Sequence, residues 1–365
     1  MGDEPKKYRK QEQEPASDRV EEVAPNVLRL QLPIAFTGLG HVNMYALVDE
    51  RGVAIVDPGL PGPKSWKFVL QRLKAAEIPI KHVHSVLVTH SHPDHYGGAG
   101  RLAKEAGADL VTHAAFQTFF GSAVHKCLNP DHGHDEAGDE ECEGAEAFGA
   151  PWQRPTPWGT DFHRPNMGRR LSWQTIMRIA TPMARRMMAP PAPSKRLRNG
   201  DVIRLAGRDW FALHTPGHTT DHLCLHDPEE GLLLSGDHIL PTITPHISGI
   251  GQDPDPLKSF FASLDRCAEI EDVTQVLPAH GHPFDDLRGR VKAIEEHHDE
   301  RMAELVAAGQ ELGWASVPAL SQRIFKRRSW GSMAESETYA HLEHLRLAGK
   351  AERRGEDASL EYLLG

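Results

Sequence analysis

The chain is poor in cysteine, with four in 365 residues. That is too few for a disulfide framework, and a reducing, cytoplasmic setting is expected. Positive charge is also short. Lys and Arg number 41 against 51 Asp and Glu, a net charge of −10. Phosphate backbones are held by clustered cations, so nucleic acid is not the expected partner. No apolar run approaches the roughly 18 residues of a membrane span, so no membrane partner is expected. Residues 1–17 are charged and carry no apolar stretch, which does not read as a secretory signal. Aromatic residues make up 7% and hydrophobic residues 39%, lean but globular. The length suits two domains rather than one of roughly 150 residues. Histidine is what the chain has in excess. Its 23 copies, and their clustering, carry the functional argument.

Residues 1–18 are rich in Lys, Glu, Gln and Pro and read as a disordered tail. Short apolar runs follow at 27–32, 43–48 and 53–57, bounded by turn residues, and read as strands. Residues 63–76 place Trp66, Val69, Leu70 and Leu73 at helical spacing. Residues 84–89 read as a buried strand. Helix (98–106), strand (109–112) and helix (113–120) follow. Val202–Leu205 and Trp210–Leu213 flank Gly207 as a hairpin.

Residues 123–197 read as an insertion, a length of loop that is usually functional or disordered. Asp131–Glu146 holds eight acids and no Lys or Arg, whereas His163–Gly200 holds nine bases and no acid. This segment is either a lid over a cleft, its Met residues adapting to an acyl chain and its arginines holding anions, or plain scaffold. After Pro283 the pattern changes to three helices, 287–311, 317–326 and 335–348, and a hairpin within 351–364. The expected domains are therefore 19–285 and 286–365.

The chemistry concentrates in Thr89-His90-Ser91-His92-Pro93-Asp94-His95, directly after an expected buried strand. Four potential ligands within six residues at a strand-to-helix turn can converge on one point. Three further motifs follow, Thr215-Pro216-Gly217-His218, Ser235-Gly236-Asp237-His238 and Pro278-Ala279-His280-Gly281. Each sets a ligand type where an apolar strand gives way to a Gly-containing turn, where loops line a site above a rigid sheet.

On these motifs, and on Asp57 in Val56-Asp57-Pro58-Gly59, the sequence resembles the metallo-β-lactamase superfamily over about residues 20–285. It resembles the glyoxalase II-like branch, whose binuclear site includes this aspartate bridge, and does not resemble the resistance enzymes, several of which place Cys at the bridging position. The resemblance implies an α/β fold, an αββα sandwich of two mixed β-sheets flanked by helices. It implies that His90, His92 and His218 bind one divalent transition-metal ion and Asp94, His95 and His280 a second, with Asp237 bridging. Zinc is the expected metal, with iron or manganese as alternatives. Asp57 would orient a ligand loop. Two ions about 3.5–4 Å apart lower the pKa of bound water, so hydroxide is available at neutral pH to attack an acyl carbon or phosphorus. Asp94 would also give or take the proton. The C-terminal segment resembles the winged helix appended to some members. From residue 286 onward it carries 12 bases and 14 acids, so a packing role is expected over DNA binding.

Other residues carry two readings each. His222 and His238 either donate to the ligands or are satisfied loop histidines. Tyr96 lines the cleft or packs. His246, on the loop after Asp237, contacts substrate or does not. Cys127 and Cys142, with His125, His132 and His134, match no zinc-ribbon spacing and read as part of a solvated acidic loop. Cys224 and Cys267 read as core. The expected function is hydrolysis of a small anionic acyl substrate, a thioester of glutathione or coenzyme A type. The alternatives are a ribonuclease or phosphodiesterase, a lactonase, and a DNA-binding regulator with an inactive hydrolase domain. A homodimer is the assembly to test.

Overall fold

The computed structural model describes residues 10–36, 38–117, 156–160 and 192–365. Alternating apolar runs build the first sheet. β1 (Val20–Ala24), β2 (Val27–Phe36), β3 (Leu39–Asp49) and β4 (Gly52–Val56) form an antiparallel meander. β5 (Val83–Leu87), β6 (Asp109–His113) and β7 (Lys195–Leu197) then add in parallel, giving the spatial order β1 to β7. Parallel neighbours need crossovers. α1 (Pro63–Ala75) joins β4 to β5, and the short α2 (Pro93–Tyr96) with α3 (Ala99–Ala106) joins β5 to β6. The second sheet contains β8 (Val202–Leu205), β9 (Arg208–His214), β10 (Leu223–Asp227), β11 (Leu232–Gly236) and β12 (Gln275–Pro278), ordered β12-β11-β10-β9-β8. Its one parallel pair, β11 and β12, is bridged by α4 (Pro256–Ala268).

Strand alternation decides the layers. Val53 and Ile55 of β4 face Trp66, Val69 and Leu73 of α1. Their neighbours Ala54 and Val56 face the other sheet and meet Trp210 and Leu225. In β10, Leu223 and Leu225 point between the sheets, whereas Cys224 joins Phe260 and Leu264 of α4. The result is helix, sheet, sheet, helix, as the αββα expectation requires.

α5 (Leu287–Leu312) belongs to two cores. Leu287, Val291 and Ile294 pack with α4, while Leu305 and Ala308 enter a separate cluster. That cluster includes β13 (Ala315–Ser316), α6 (Val317–Ile324), α7 (Ser332–Leu347) and β15 (Glu361–Leu364). With β14 (Ala351–Arg354), the three strands form a small sheet ordered β13-β15-β14. The expected boundary at 285/286 therefore falls at the head of a helix that both cores share.

Three expectations need correction. The helix over 113–120 does not form in its described part. His113 ends β6, and Ala114 turns onto β7, its N–H donating to the Leu197 carbonyl at 2.8 Å. The insertion cannot run to 197, since Lys195–Leu197 is a sheet strand paired with β6. The expected tail is tied down from Lys10. Glu12 is fully buried, and its carboxylate accepts from the N–H of Thr242 at 2.8 Å and of Ile243 at 3.1 Å. Polar composition suggested disorder, but these polar groups are satisfied by a protein loop instead of water. Most of the insertion, with the lid expectation and Cys127, Cys142, His125, His132 and His134, lies outside the described residues.

Candidate metal centre

The motif loops all leave the C-terminal ends of strands at one rim. β4 and β5 are parallel in the first sheet. β9 and β11 both run against β10, so they share a direction, and β12 runs with β11. Backbone bonds join the sheets at this rim. Asn43 N–H donates to the Ala279 carbonyl at 2.7 Å and Leu223 N–H to the Thr89 carbonyl at 2.9 Å. The side chains placed there cannot drift apart without breaking the sandwich.

Four imidazoles arrive with Nδ1 already occupied. His90 Nδ1 pairs with Thr89 Oγ1 at 3.0 Å, and that hydroxyl donates to Asp57 Oδ2 at 2.7 Å. His95 Nδ1 meets Asp57 Oδ2 at 2.8 Å. His280 Nδ1 donates to the His41 carbonyl at 2.6 Å, and His218 Nδ1 to the His246 carbonyl at 2.8 Å. A ring whose Nδ1–H is committed presents a bare Nε2, the form a metal requires. His92 arrives the other way round, with Nδ1 at 3.1 Å from His218 Nε2.

The donors fall into two groups, His90, His92, His218 and Asp237 in one and Asp94, His95 and His280 in the other. Within each group they lie within 4.8 Å of one another. Asp237 touches both. Its Oδ2 is 3.8 Å from His90 Nε2 and 3.6 Å from His218 Nε2, and 3.5 Å from His95 Nε2. Its Oδ1 is 3.2 Å from His280 Nε2. Asp94 Oδ2 stands 3.7 Å from His95 Nε2 and 3.6 Å from His280 Nε2.

Burial, followed by the neighbouring histidines, holds His90 and His92 well below the ordinary imidazole range, so they stay neutral. Burial also works against a charged His95, but Asp237, Asp94 and Asp57 outweigh it and raise it well above that range. His280 is raised in the same way by Asp237 and Asp94. In turn His280 and His95 hold Asp237 well below the carboxylate range despite its burial. The carboxylates thus recruit cations wherever they can.

The donor set fits a divalent metal. His90 Nε2, His95 Nε2 and His280 Nε2 are buried and make no hydrogen bond, an expensive arrangement with nothing to bind. Two nitrogens each about 2.0–2.1 Å from one tetrahedral ion sit about 3.3 Å apart, close to the His92–His218 spacing. Nitrogen and carboxylate donors without thiolate suit zinc, iron or manganese.

The remaining candidates divide. Asp57 is buried at φ +51°, a strained region that aspartate tolerates better than most residues, and it grips both Thr89 and His95. His222 lies beneath the centre and not in the cleft. Its Nδ1 meets Thr215 Oγ1 at 2.8 Å and its Nε2 accepts from the Asp237 N–H at 3.1 Å. Gly236 permits this approach, since a Cβ there would lie 2.6 Å from His222 Nε2. Tyr96 does not line the cleft. It packs edge-on against Phe116 at 6.2 Å in the core under α1, and burial pushes its phenol up to about 12. His238 is buried against Phe260 at 5.0 Å. His246 is partly exposed, with Nδ1 3.2 Å from Glu337 Oε2.

Several supporting residues were not legible as such. Asn43, inside an apolar strand, donates to the carbonyls of Pro278 at 2.8 Å and Gly281 at 2.9 Å, and so steadies the His280 loop. An isolated amide in a buried strand was the available signal. Asp221 accepts from Ser91 Oγ at 3.1 Å, and burial lifts its carboxyl to about 6. A cavity of about 470 Å³ is lined by Lys10, Thr242, Thr244, Arg290, Glu300 and Glu337 among others. It carries both signs of charge.

Comparisons agree with this geometry. The chain is similar to a beta-lactamase domain protein from Burkholderia ambifaria, at 28% identity and TM-score 0.70, covering 96% of this chain and 95% of that one. A metallo-beta-lactamase family protein from Thermus thermophilus is 27% identical with TM-score 0.68, covering 94% and 100%. Among curated proteins, a hydroxyacylglutathione hydrolase of Maricaulis maris is 27% identical over 207 residues, 54% of this chain and 77% of that protein. An atrochrysone carboxyl ACP thioesterase of Claviceps purpurea is 24% identical over 292 residues, 79% and 67%. A lactamase-like protein of Emericella nidulans is 30% identical over 122 residues, 33% of this chain and 37% of that protein. The matches to this and similar fungal proteins span only 35–44% of their length. Residues 37–280, two thirds of the sequence, match the family described as the Metallo-beta-lactamase superfamily. The chain belongs to the metallo-beta-lactamase superfamily.

Proposed function

We propose that the protein is a two-metal hydrolase of a small anionic acyl substrate, a thioester of the glutathione or coenzyme A kind. The observation that carries this reading is Asp237, one carboxylate within 4 Å of imidazole nitrogens from both donor groups. When bound, two zinc ions would supply Lewis-acid polarisation of the carbonyl and hydroxide at neutral pH. His90, His92 and His218 would hold one ion and Asp94, His95 and His280 the other, with Asp237 between them. Asp57 fixes the His95 ring through Nδ1 and orders the Thr89–His90 turn. Asp94, buried at the inner wall, is placed to carry a proton between nucleophile and leaving group. Beneath the centre His222 and Thr215 are buried and hydrogen-bonded to each other, and His222 accepts from the Asp237 N–H.

The thioester choice is supported by the names of two relatives, a hydroxyacylglutathione hydrolase and an atrochrysone carboxyl ACP thioesterase. For the C-terminal segment, the order helix, strand, helix, helix, strand, strand supports a winged-helix reading. α7 is buried along most of its length, between the α4 core and the small sheet, which supports packing over groove binding. The test is a hydrolysis panel of acyl thioesters, lactones, phosphodiesters and RNA, run on protein of known metal content. Faster turnover of RNA or phosphodiester than of any thioester would overturn the substrate class.

A further inference from the structure

We propose that Glu337, on α7 in the C-terminal segment, is a positioning residue for the metal ligand His218, acting through His246. The inference rests on the two-metal reading. Glu337 Oε2 lies 3.2 Å from His246 Nδ1, and the His246 backbone carbonyl accepts the Nδ1–H of His218 at 2.8 Å. That last bond decides which nitrogen of His218 is bare, and it aims Nε2 at His92 Nδ1, 3.1 Å away. The carbonyl can do this only if the peptide at 246 stays where it is. Its loop has no regular structure of its own, so the side chain is the handle by which the peptide is held.

α7 grips the same loop at two further points. Ser336 Oγ meets Ser248 Oγ at 2.9 Å, and the Gly249 N–H donates to the Ser336 carbonyl at 3.2 Å. The loop lies so close that a Cβ on Gly249 would stand 2.8 Å from the Ala340 nitrogen. The turn carrying Glu337 is fixed in turn. Its carbonyl accepts from His341 Nδ1 at 2.7 Å, and His341 Nε2 meets His298 Nδ1 of α5 at 3.0 Å. A half-buried carboxylate held against one imidazole on the loop is a specific tie between α7 and that loop. Burial disfavours its charge, yet the hydrogen bond from His246 brings its carboxyl down to about 2, so it is ionised throughout the working range. Outer partners of a metal-binding histidine set ring orientation and basicity, and removing one typically weakens metal binding about 10- to 100-fold. Glu337 acts one bond further out, so the lower end of that range applies.

The experiment compares the full-length wild type with Glu337→Ala, Glu337→Gln and, as a control on the loop's other anchor, Ser336→Ala. Zinc affinity is read by competition with a chromophoric chelator, and ligand geometry by the visible spectrum of the cobalt-substituted protein. The expected result is a loss of about tenfold at one of the two ions for Glu337→Ala, with an altered cobalt spectrum. Glu337→Gln, which keeps an acceptor but not the charge, should lose less, and Ser336→Ala should stay within about twofold. Unchanged affinity in Glu337→Ala, or equal losses in Glu337→Ala and Ser336→Ala, would overturn the proposal while the two-metal reading stands. If Glu337→Ala does not fold, Glu337→Gln decides, and wild-type affinity and spectrum in that variant would overturn the proposal. A wild type that binds no zinc removes the two-metal reading itself, and this inference with it.

Discussion

At the scale of single residues, the centre depends on commitments made by Nδ1 atoms. Each bare Nε2 exists because a carbonyl, hydroxyl or carboxylate has claimed the other ring nitrogen. Among the described residues Asp237 is the carboxylate that faces both donor groups, so Asp237→Ala should cost the most. Turnover is expected to fall by more than tenfold with loss of at least one metal per chain, checked by steady-state kinetics with elemental analysis. Activity above a tenth of wild type would rule out a bridging role. Asp57→Asn poses a subtler question. The amide can still accept from the Thr89 N–H, but the charge facing His95 is gone. Metal affinity should drop about 10- to 100-fold with the fold intact, as chelator competition beside circular dichroism would show. Unchanged affinity would reduce Asp57 to a turn residue.

At the scale of elements, the strands from β2 to β6 and the β8–β9 hairpin were legible because burial leaves a periodic record in the sequence. Val53 to Val56 alternate between the two cores, and the ligand motifs sit where such records stop. Elements whose partners are polar left no such record. The segment around Glu12 looked like solvated tail because its carboxylate is satisfied by Thr242 and Ile243, a match visible only in three dimensions. Tyr96 misled for the opposite reason. It follows a candidate metal donor in sequence, but one residue further round a short helix turns it from the rim into the core against Phe116. The 156–160 segment is a third case. Trp158 is buried in the C-terminal core and its Nε1–H donates to Glu335 at 2.9 Å, although neighbouring composition suggested a loop. Truncating a buried tryptophan costs about 3–5 kcal/mol, so Trp158→Ala should lower the urea midpoint markedly while leaving metal content unchanged. A midpoint within error of wild type would mean that this contact contributes nothing to stability.

At the scale of the whole molecule, metal and proton should act on stability in predictable directions. Ions bound only by the folded chain add about 2.7 kcal/mol when present at a hundredfold excess over Kd. Chelation should therefore lower Tm by several degrees, reversibly on adding zinc, and a Tm indifferent to chelator would argue against a resident metal. In the metal-free protein, burial beside His341 holds the His298 imidazole down at about 3. The unfolded chain binds this proton once pH falls below about 6.5, whereas the folded chain does not until about 3, so stability declines as pH drops through that window. His341 is depressed in the same sense. Because His95 and His280 are shifted the opposite way, the test is the difference from His298→Gln: between about pH 7 and pH 4 the urea midpoint of the metal-free wild type should fall more than that of the variant, and equal falls would contradict the buried-neutral assignment. The loop after Asp237 is fastened by Glu12 from one end of the described chain and by Arg290, whose guanidinium donates to the carbonyls of Leu240 at 2.6 Å and Ile243 at 2.8 Å. In sequence the first of these anchors precedes every candidate metal donor and the second follows them all. Arg290 follows all seven candidate donors in the sequence, so a chain cut at residue 285 would keep every donor and lose this clasp on the loop beside Asp237.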